Sequence, residues 1–407
     1  MRIGYLSEKD YRRNFWAFIW HAAFFAVSKS FIDTDTVISS LIIKSGGNEI
    51  LLGLMTTIMI GGANFLQLFF ASFISHVIQK KKHLLIAINL RILFVLILAI
   101  LLMKYSVMDN KIFFAIFFAV IFAFTFAGSY GGIAYTDLLG KSIKKESRLK
   151  LFSVRQLMQA FGFVISAFLV KIVLKKYSFP DNYFHLFLYA AFILFIGSLG
   201  FWLLREKIII PKKRKSIIEF FKLIPYEIKK NKNLLYYILI VNLIGILIVF
   251  SPFLVSFFKI YHKLTGNIVG NFLIIKMIGA VLGSVLVLWR NIKYKIILNL
   301  AAILAAIFPI LALITVKNIV LYLFVFFIGG IIMSFIRIAT GGILIEISND
   351  KNRAEYAGIV GAANISGLIF PLFIGSFLRA LGYIPVFITI SLISISMLFL
   401  IGKLDCK

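Results

Sequence analysis

Ionisable side chains inside long apolar runs are the residues of this sequence best placed to do chemistry. A central charge costs a membrane helix about 2.5–3.5 kcal/mol on insertion scales unless it is paired or faces water. Lys276 lies deepest, about ten residues and roughly 15 Å into the apolar run 267–289, with Gly270, Gly279 and Gly283 leaving room for a neighbouring helix. It suits binding an anionic group or exchanging a proton; the structural alternative is neutralising a fixed carboxylate. The first apolar run carries His21, Lys29, Asp33 and Asp35. At about 100° per residue His21, Ser28 and Asp35 fall within about 40° of each other, while Lys29 and Asp33 have the i,i+4 spacing of a self-neutralising pair. Asp35 is then the carboxylate open to a solute, a proton or another helix. Arg337 is a second candidate anion contact. His21 fits core hydrogen bonding as well as proton exchange, and Arg91 and Arg155 fit snorkelling or interhelical bonding. Asn64, Gln67 and Asn242 are uncharged donors and acceptors suited to a solute, although hydrogen bonds between helices also account for such residues.

The elements that must position these side chains follow from composition. The chain has 407 residues, 61% hydrophobic and 15% charged, with a mean hydropathy of +1.00, far from the half-apolar, quarter-charged balance of a soluble domain. At roughly 20 residues per bilayer crossing, this is material for about twelve helices. Apolar runs predict spans at 14–42, 50–78, 83–103, 112–136, 151–174, 183–204, 234–259, 267–289, 294–315, 318–345, 355–379 and 382–402. The formal charge is +28, but its Lys and Arg form short clusters between the apolar runs rather than one folded surface. That pattern excludes a nucleic-acid partner and fits contact with anionic lipid. With an even number of spans, the side holding both termini carries 29 of the 44 Lys and Arg and the other side 10, so both termini are expected in the cytoplasm. Cys406 is the single cysteine, which excludes an internal disulfide and a cysteine-based metal cage. No cleavage site follows the charged N-terminal lead, so the first span is expected to be retained.

The longest polar stretch, about 205–233, carries the cluster Lys212, Lys213, Arg214 and Lys215 and divides the chain near its middle. Its segment SIIEFFKLIPYEIKK has the spacing of a helix lying on the inner leaflet. An internal repeat supports the same division. Predicted span 4 ends GSYGGIAYTD and span 10 ends ATGGILIE, each with a Gly-Gly pair shortly before an acid, Asp137 or Glu346. A loop and an arginine follow each, Arg148 or Arg353. Span 2 opens LGLMTTIMIGG and span 8 opens VGNFLIIKMIG. Three matches in the same order at nearly half the chain length define a first half 1–204, a basic linker 205–233 and a second half 234–407. Paired parallel halves are a transporter arrangement.

The spans, the central basic loop, the paired halves and the run IAYTDLLGKSIKKESRLKLFSVRQLMQ resemble the major facilitator superfamily, specifically its prokaryotic members, over nearly the whole chain. The resemblance implies an all-α polytopic membrane protein of twelve transmembrane helices in two pseudo-symmetric six-helix bundles, with helices 1, 4, 7 and 10 around a central cavity. The family's motif between helices 2 and 3 is half present: aligned on Lys80, Lys81 and Lys82, its glycine falls at Ala71, its acid at Ser75 and its second glycine at Ile78. In that family the missing acid helps latch the cytoplasmic side. Asp137 with Arg148 and Glu346 with Arg353 look like the rest of that charge network, and together with Lys80 and Lys81 are the candidate gate residues. The glycine- and proline-rich helix 5 signature of the family's antiporter-class exporters is absent from RQLMQAFGFVISAFL.

The function expected is secondary active transport of a small solute across the cytoplasmic membrane by alternating access, with Asp35, Lys276 and His21 as candidates for coupling to protons. The cationic interior tilts the solute toward an anion or zwitterion. No complete phosphate-cradling glycine loop is present, so an ion gradient is the energy source available. A membrane enzyme would need clustered carboxylates or a nucleophile beside a base; the acids here are scattered, and His21, His76, His83, His185 and His262 show no ligand spacing. No enzyme activity, cofactor or metal is expected, and the chain is expected to act as a monomer. The alternative is a sensor or scaffold of transporter fold that moves nothing, which the degenerate motif would suit.

Overall fold

The computed structural model describes residues 6–406 apart from 64, 67–69, 71–72, 75–76, 208–216, 291, 349–355, 357–358 and 362; for a few helical residues, Arg148 among them, only the backbone is described. Among the described residues there is no strand. Among the described residues twelve apolar helical segments follow one another: α1 (Glu8–Lys44), α2 (Glu49–Gly62), α3 (Lys80–Met103), α4 (Asn110–Ser142), α5 (Lys145–Lys176), α6 (Asp181–Leu203), α7 (Lys232–Tyr261), α8 (Gly266–Arg290), α9 (Tyr294–Thr315), α10 (Ile319–Glu346), α11 (Ser366–Leu381) and α12 (Tyr383–Gly402). Eleven of these segments are long and apolar enough to cross a bilayer, α11 when taken from Ile359; α2, in its described part, is the shorter one. A linker helix, Ile217–Lys230, occupies the stretch expected to lie on the membrane surface. The cluster Lys212 to Lys215 and the motif positions Ala71 and Ser75 lie outside the described residues.

Helix starts follow from capping chemistry. Ser7 and Asp10 form a reciprocal box at α1, the Ser7 hydroxyl accepting the Asp10 N–H and the Asp10 carboxylate accepting the Ser7 N–H. Asn48, Asp109, Asn231 and Asn318 cap α2, α4, α7 and α10 with their side-chain oxygens. α3 has no such residue of its own; the Glu206 carboxylate, just past α6, accepts the N–H groups of Lys80 and Lys81 at 2.9 Å each. α1 passes through a π-helical turn at Thr34–Ile38, where the Ser39 hydroxyl donates to the Thr34 carbonyl at 2.7 Å.

Helix pairing bears the repeat in three dimensions. α1 packs on α5 and α6, and α3 on α4 and α6; correspondingly α7 packs on α11 and α12, and α9 on α10 and α12. The contacts divide the chain into two units, residues 1–33 with 66–217 and residues 34–65 with 218–407. The second unit thus takes in the end of α1 and the described start of α2, which pack on α7, α8 and α11. In the first unit, fully buried Asn14 ties α1 to the ends of α4 and α6, donating to Ser142 O (3.3 Å) and Arg205 O (2.9 Å) and accepting from Arg205 N (2.8 Å).

Candidate functional site

In the second unit, α8 presents Lys276 ten residues after its start, roughly 15 Å along the helix. Two glycines let α10 come close there: a Cβ on Gly330 would stand 2.0 Å from the Lys276 carbonyl, and one on Gly279 would stand 2.1 Å from that of Phe327. Lys276 Nζ donates to Asp35 Oδ2 at 2.7 Å, and both side chains are 9% exposed. Asp35 sits in the π-helical turn, so the carboxylate that spacing left open is held by a lysine of another helix. A buried pair is strongly held by geometry yet gains little net stability, because both ions are taken out of water. Chemically, a carboxylate held this way can take up a proton, which would weaken its hold on the ammonium.

Asp33 is buried, whereas Lys29 is exposed. Arg337 on α10 is exposed and makes no hydrogen bond or ion pair among the described residues. Asn242 is committed to packing: its amide donates to Ile238 O (2.9 Å) and Ala363 O (2.8 Å) and accepts from Ser366 N (3.0 Å), stitching α7 to the start of α11. Asn64 and Gln67 lie outside the described residues.

The first unit holds a partly open cavity of about 260 Å³, lined by residues of α1, α3, α4 and α5. Its polar wall consists of His21, Arg91, Tyr135, Arg155 and Gln159. His21 Nδ1 donates to the Gly197 carbonyl at 3.3 Å, and its ring centroid lies 4.2 Å from that of Phe201. Arg155 donates to the Tyr135 hydroxyl at 2.7 Å. The Arg91 guanidinium lies 4.3 Å from the Phe124 ring centroid and 5.3 Å from that of Phe25. Gly128 makes room for it, since a Cβ there would stand 3.3 Å from Arg91 Nε.

Of the two readings the sequence offered for these arginines, snorkelling or bonding between helices, the contacts are of the second kind. Arg91 lies eleven residues into α3, between Phe25 of α1 and Phe124 of α4. Arg155 bonds Tyr135 of α4 and lies ten residues into α5, whose helix begins ahead of the apolar run with the polar segment KESRLK. The sequence signal that could have found the cavity was the glycine-rich stretch of α4, whose Gly128, Gly131 and Gly132 all line it.

At the α3 start, Asp137 pairs with Lys141 (2.7 Å) and Lys80 (3.3 Å), and Lys81 Nζ donates to Trp202 O (2.7 Å). The Arg148 side chain and all of Arg353 lie outside the described atoms, while Glu346 is exposed.

No family model and no curated protein matches the sequence. Solved structures do match. A mutant of the nucleoside transporter NupG aligns with 96% of this chain and 99% of its own, at a TM-score of 0.72 and 12% identity. A D-xylose-proton symporter aligns over 97% of each chain at 0.70 and 11%. A POT family transporter in complex with a thioalcohol-conjugated peptide covers 97% of this chain and 95% of its own, at 0.68 and 13%. The class is thereby defined as a multi-pass, all-α membrane protein. In particular, the chain has the fold of the major facilitator superfamily.

Proposed function

We propose that this protein is a secondary transporter, not an enzyme, that moves a small solute across the cytoplasmic membrane by alternating access with both termini in the cytoplasm. The observation that carries the reading is the major facilitator fold over nearly the whole chain, shared with a nucleoside transporter, a D-xylose-proton symporter and a POT family transporter. Two pseudo-symmetric six-helix halves, 1–204 and 234–407, joined by the basic linker, would expose a bound solute to each side in turn. The Lys276–Asp35 pair supplies a coupling element. Protonating Asp35 releases Lys276, and a solute anion or zwitterion can then take its place against the ammonium. Asp33, His21 and Arg337 are further candidates for solute or proton contact. Asp137 with Lys80, Lys81 and Arg148 would gate the cytoplasmic mouth, as would Glu346 with Arg353 in the other half. The linker helix would rest on anionic inner-leaflet lipid. The chain would work as a monomer.

Reconstitution into liposomes tests this directly. Purified protein should carry a solute identified by a thermal-shift screen, and an imposed proton gradient should accelerate its uptake. Stabilisation by a solute without any flux is the outcome expected of a sensor of transporter fold, and would replace this reading.

A further inference from the structure

The corner of the first unit where α1 starts and α6 ends combines features that the transport reading does not use. Three of the four tryptophans, Trp16, Trp20 and Trp202, belong to these two helices, and each is about half exposed. The Trp20 indole N–H donates to the Ile196 carbonyl at 2.8 Å, and Gly200 leaves room for its ring. Phe192, Phe195, Leu199 and Leu203 give α6 an exposed apolar face. On a chain with the major facilitator fold such a face meets lipid, and tryptophan is the residue that settles at the boundary between lipid and water.

Cations gather at the end of that face. Lys81 Nζ donates to the Trp202 carbonyl at 2.7 Å, and Arg205, whose side chain is 67% exposed, follows three residues later. Arg12, one turn before Trp16, and Lys82 are exposed as well. The neighbouring acids are engaged within the protein. Asp10 pairs with Arg13 at 2.7 Å and with Arg205 at 3.7 Å, the two Glu206 oxygens accept the N–H groups of Lys80 and Lys81, and Glu8 pairs with Lys144. Arg12, Arg13, Lys81, Lys82 and Arg205 therefore outnumber Asp10 and Glu206, which leaves a cationic rim above an apolar surface. A zwitterionic headgroup brings its own ammonium to such a rim and gains little, whereas an anionic phosphate ester is attracted by each basic group. An acidic soluble partner would match the rim but leave the apolar face of α6 uncovered.

We propose that this corner binds one anionic phospholipid, its phosphate against Arg205 and Lys81 with Arg12 and Lys82 beside them, and its acyl chains along Phe192, Phe195 and Leu199. The site is separate from the linker helix, since α1, α3 and α6 supply all of its groups. It depends neither on transport nor on which side of the membrane the termini occupy.

Tryptophan fluorescence tests it, because bromine on a neighbouring acyl chain quenches the indole. Full-length Trp289→Phe protein keeps only the tryptophans of this corner. It is reconstituted in phosphatidylcholine vesicles containing a small fraction of brominated phosphatidylglycerol or, as the control, of brominated phosphatidylcholine. Phosphatidylglycerol should quench more strongly at equal mole fraction, and added salt should narrow the difference. Arg205→Gln and Lys81→Gln should each weaken the preference by about fivefold, the equivalent of one basic group at an anionic surface, and Arg205→Lys should keep it. Arg205→Gln should melt like the parent protein, because Asn14 bonds the backbone of Arg205 and not its side chain. Lys293→Gln with Lys403→Gln, which removes two exposed cations of the second unit, should leave the preference unchanged. Equal quenching by the two lipids overturns the proposal, as does a preference that survives Arg205→Gln combined with Lys81→Gln. An equal loss in the Lys293 and Lys403 variant would replace the site with general surface charge, and reversal by millimolar glycerol phosphate would assign the rim to a soluble phosphate ester. Quenching is read without any flux, so failure of the transporter reading leaves this result standing.

Discussion

Removing the Lys276 ammonium while keeping Asp35 deprives a buried carboxylate of its 2.7 Å partner. Breaking such a pair costs about 3–5 kcal/mol, whereas replacing both members costs far less. Lys276→Gln should therefore lower the melting temperature, and combining it with Asp35→Asn should restore most of the loss, since the two amides can still bond to each other. If the pair also serves the transport cycle, uptake stays low in both variants. An unchanged melting temperature in Lys276→Gln would sink the pairing as a structural element. A residue with no expected part in transport gives the contrast. Asn14→Ala strands the backbone groups of Ser142 and Arg205 that its amide satisfies, at about 1–3 kcal/mol for each buried group left unpaired. It should reduce thermal stability without changing solute affinity, and a changed affinity would mean that the α1 clamp shapes the site.

At the scale of elements, hydropathy located the spans but not the helices. The apolar runs ending at 136 and starting at 151 were legible, yet α4 continues to Ser142 and α5 begins at Lys145. An apolar run reports where lipid could lie, while backbone hydrogen bonding continues through TDLLGKS and KESRLK because neither segment holds a proline and KESRLK is rich in good helix formers. The extension matters to the charges at the α3 start. It places Lys141 one turn after Asp137, beside Lys80. Asp137 is 38% exposed, and its buried partner Lys80 also donates to the Val77 carbonyl at 2.8 Å, so the ammonium keeps a hydrogen bond when the carboxylate is lost. Asp137→Asn should accordingly leave the melting temperature within a few degrees of the parent. As a gate residue it should still shift the conformational population toward the inward-open state. Spin-label distances across the cytoplasmic mouth would read that shift, and unchanged distances would remove Asp137 from the gate.

For the whole molecule, orientation in the membrane follows from the excess of Lys and Arg on the side of the termini. Single cysteines at Ser106 and Thr265, both exposed in loops, should react with an impermeant reagent added to intact cells, and one at Lys403 should not. The background is Cys406→Ser; burial pushes the Cys406 thiol above the ordinary range, so it reacts slowly in any case. Labelling at Lys403, or protection at both other positions, would invert the topology.

Composition and spacing were enough to determine an all-helical membrane chain and the positions of most of its spans. Each of these depends on stretches of about twenty residues, long enough for the hydrophobic cost of a misplaced span to dominate. The deep lysine was legible for the same reason, as a costly charge in an apolar run. Its partner was not: Asp35 lies 241 residues away in sequence. The shared cavity of Arg91 and Arg155 was equally hidden, because each arginine alone looks like a snorkelling side chain. What one span shows another depends on the rotation and tilt of each helix, which are set by close packing at glycines such as Gly128, Gly279 and Gly330. Only the tertiary structure decides those angles, and with them which charges meet.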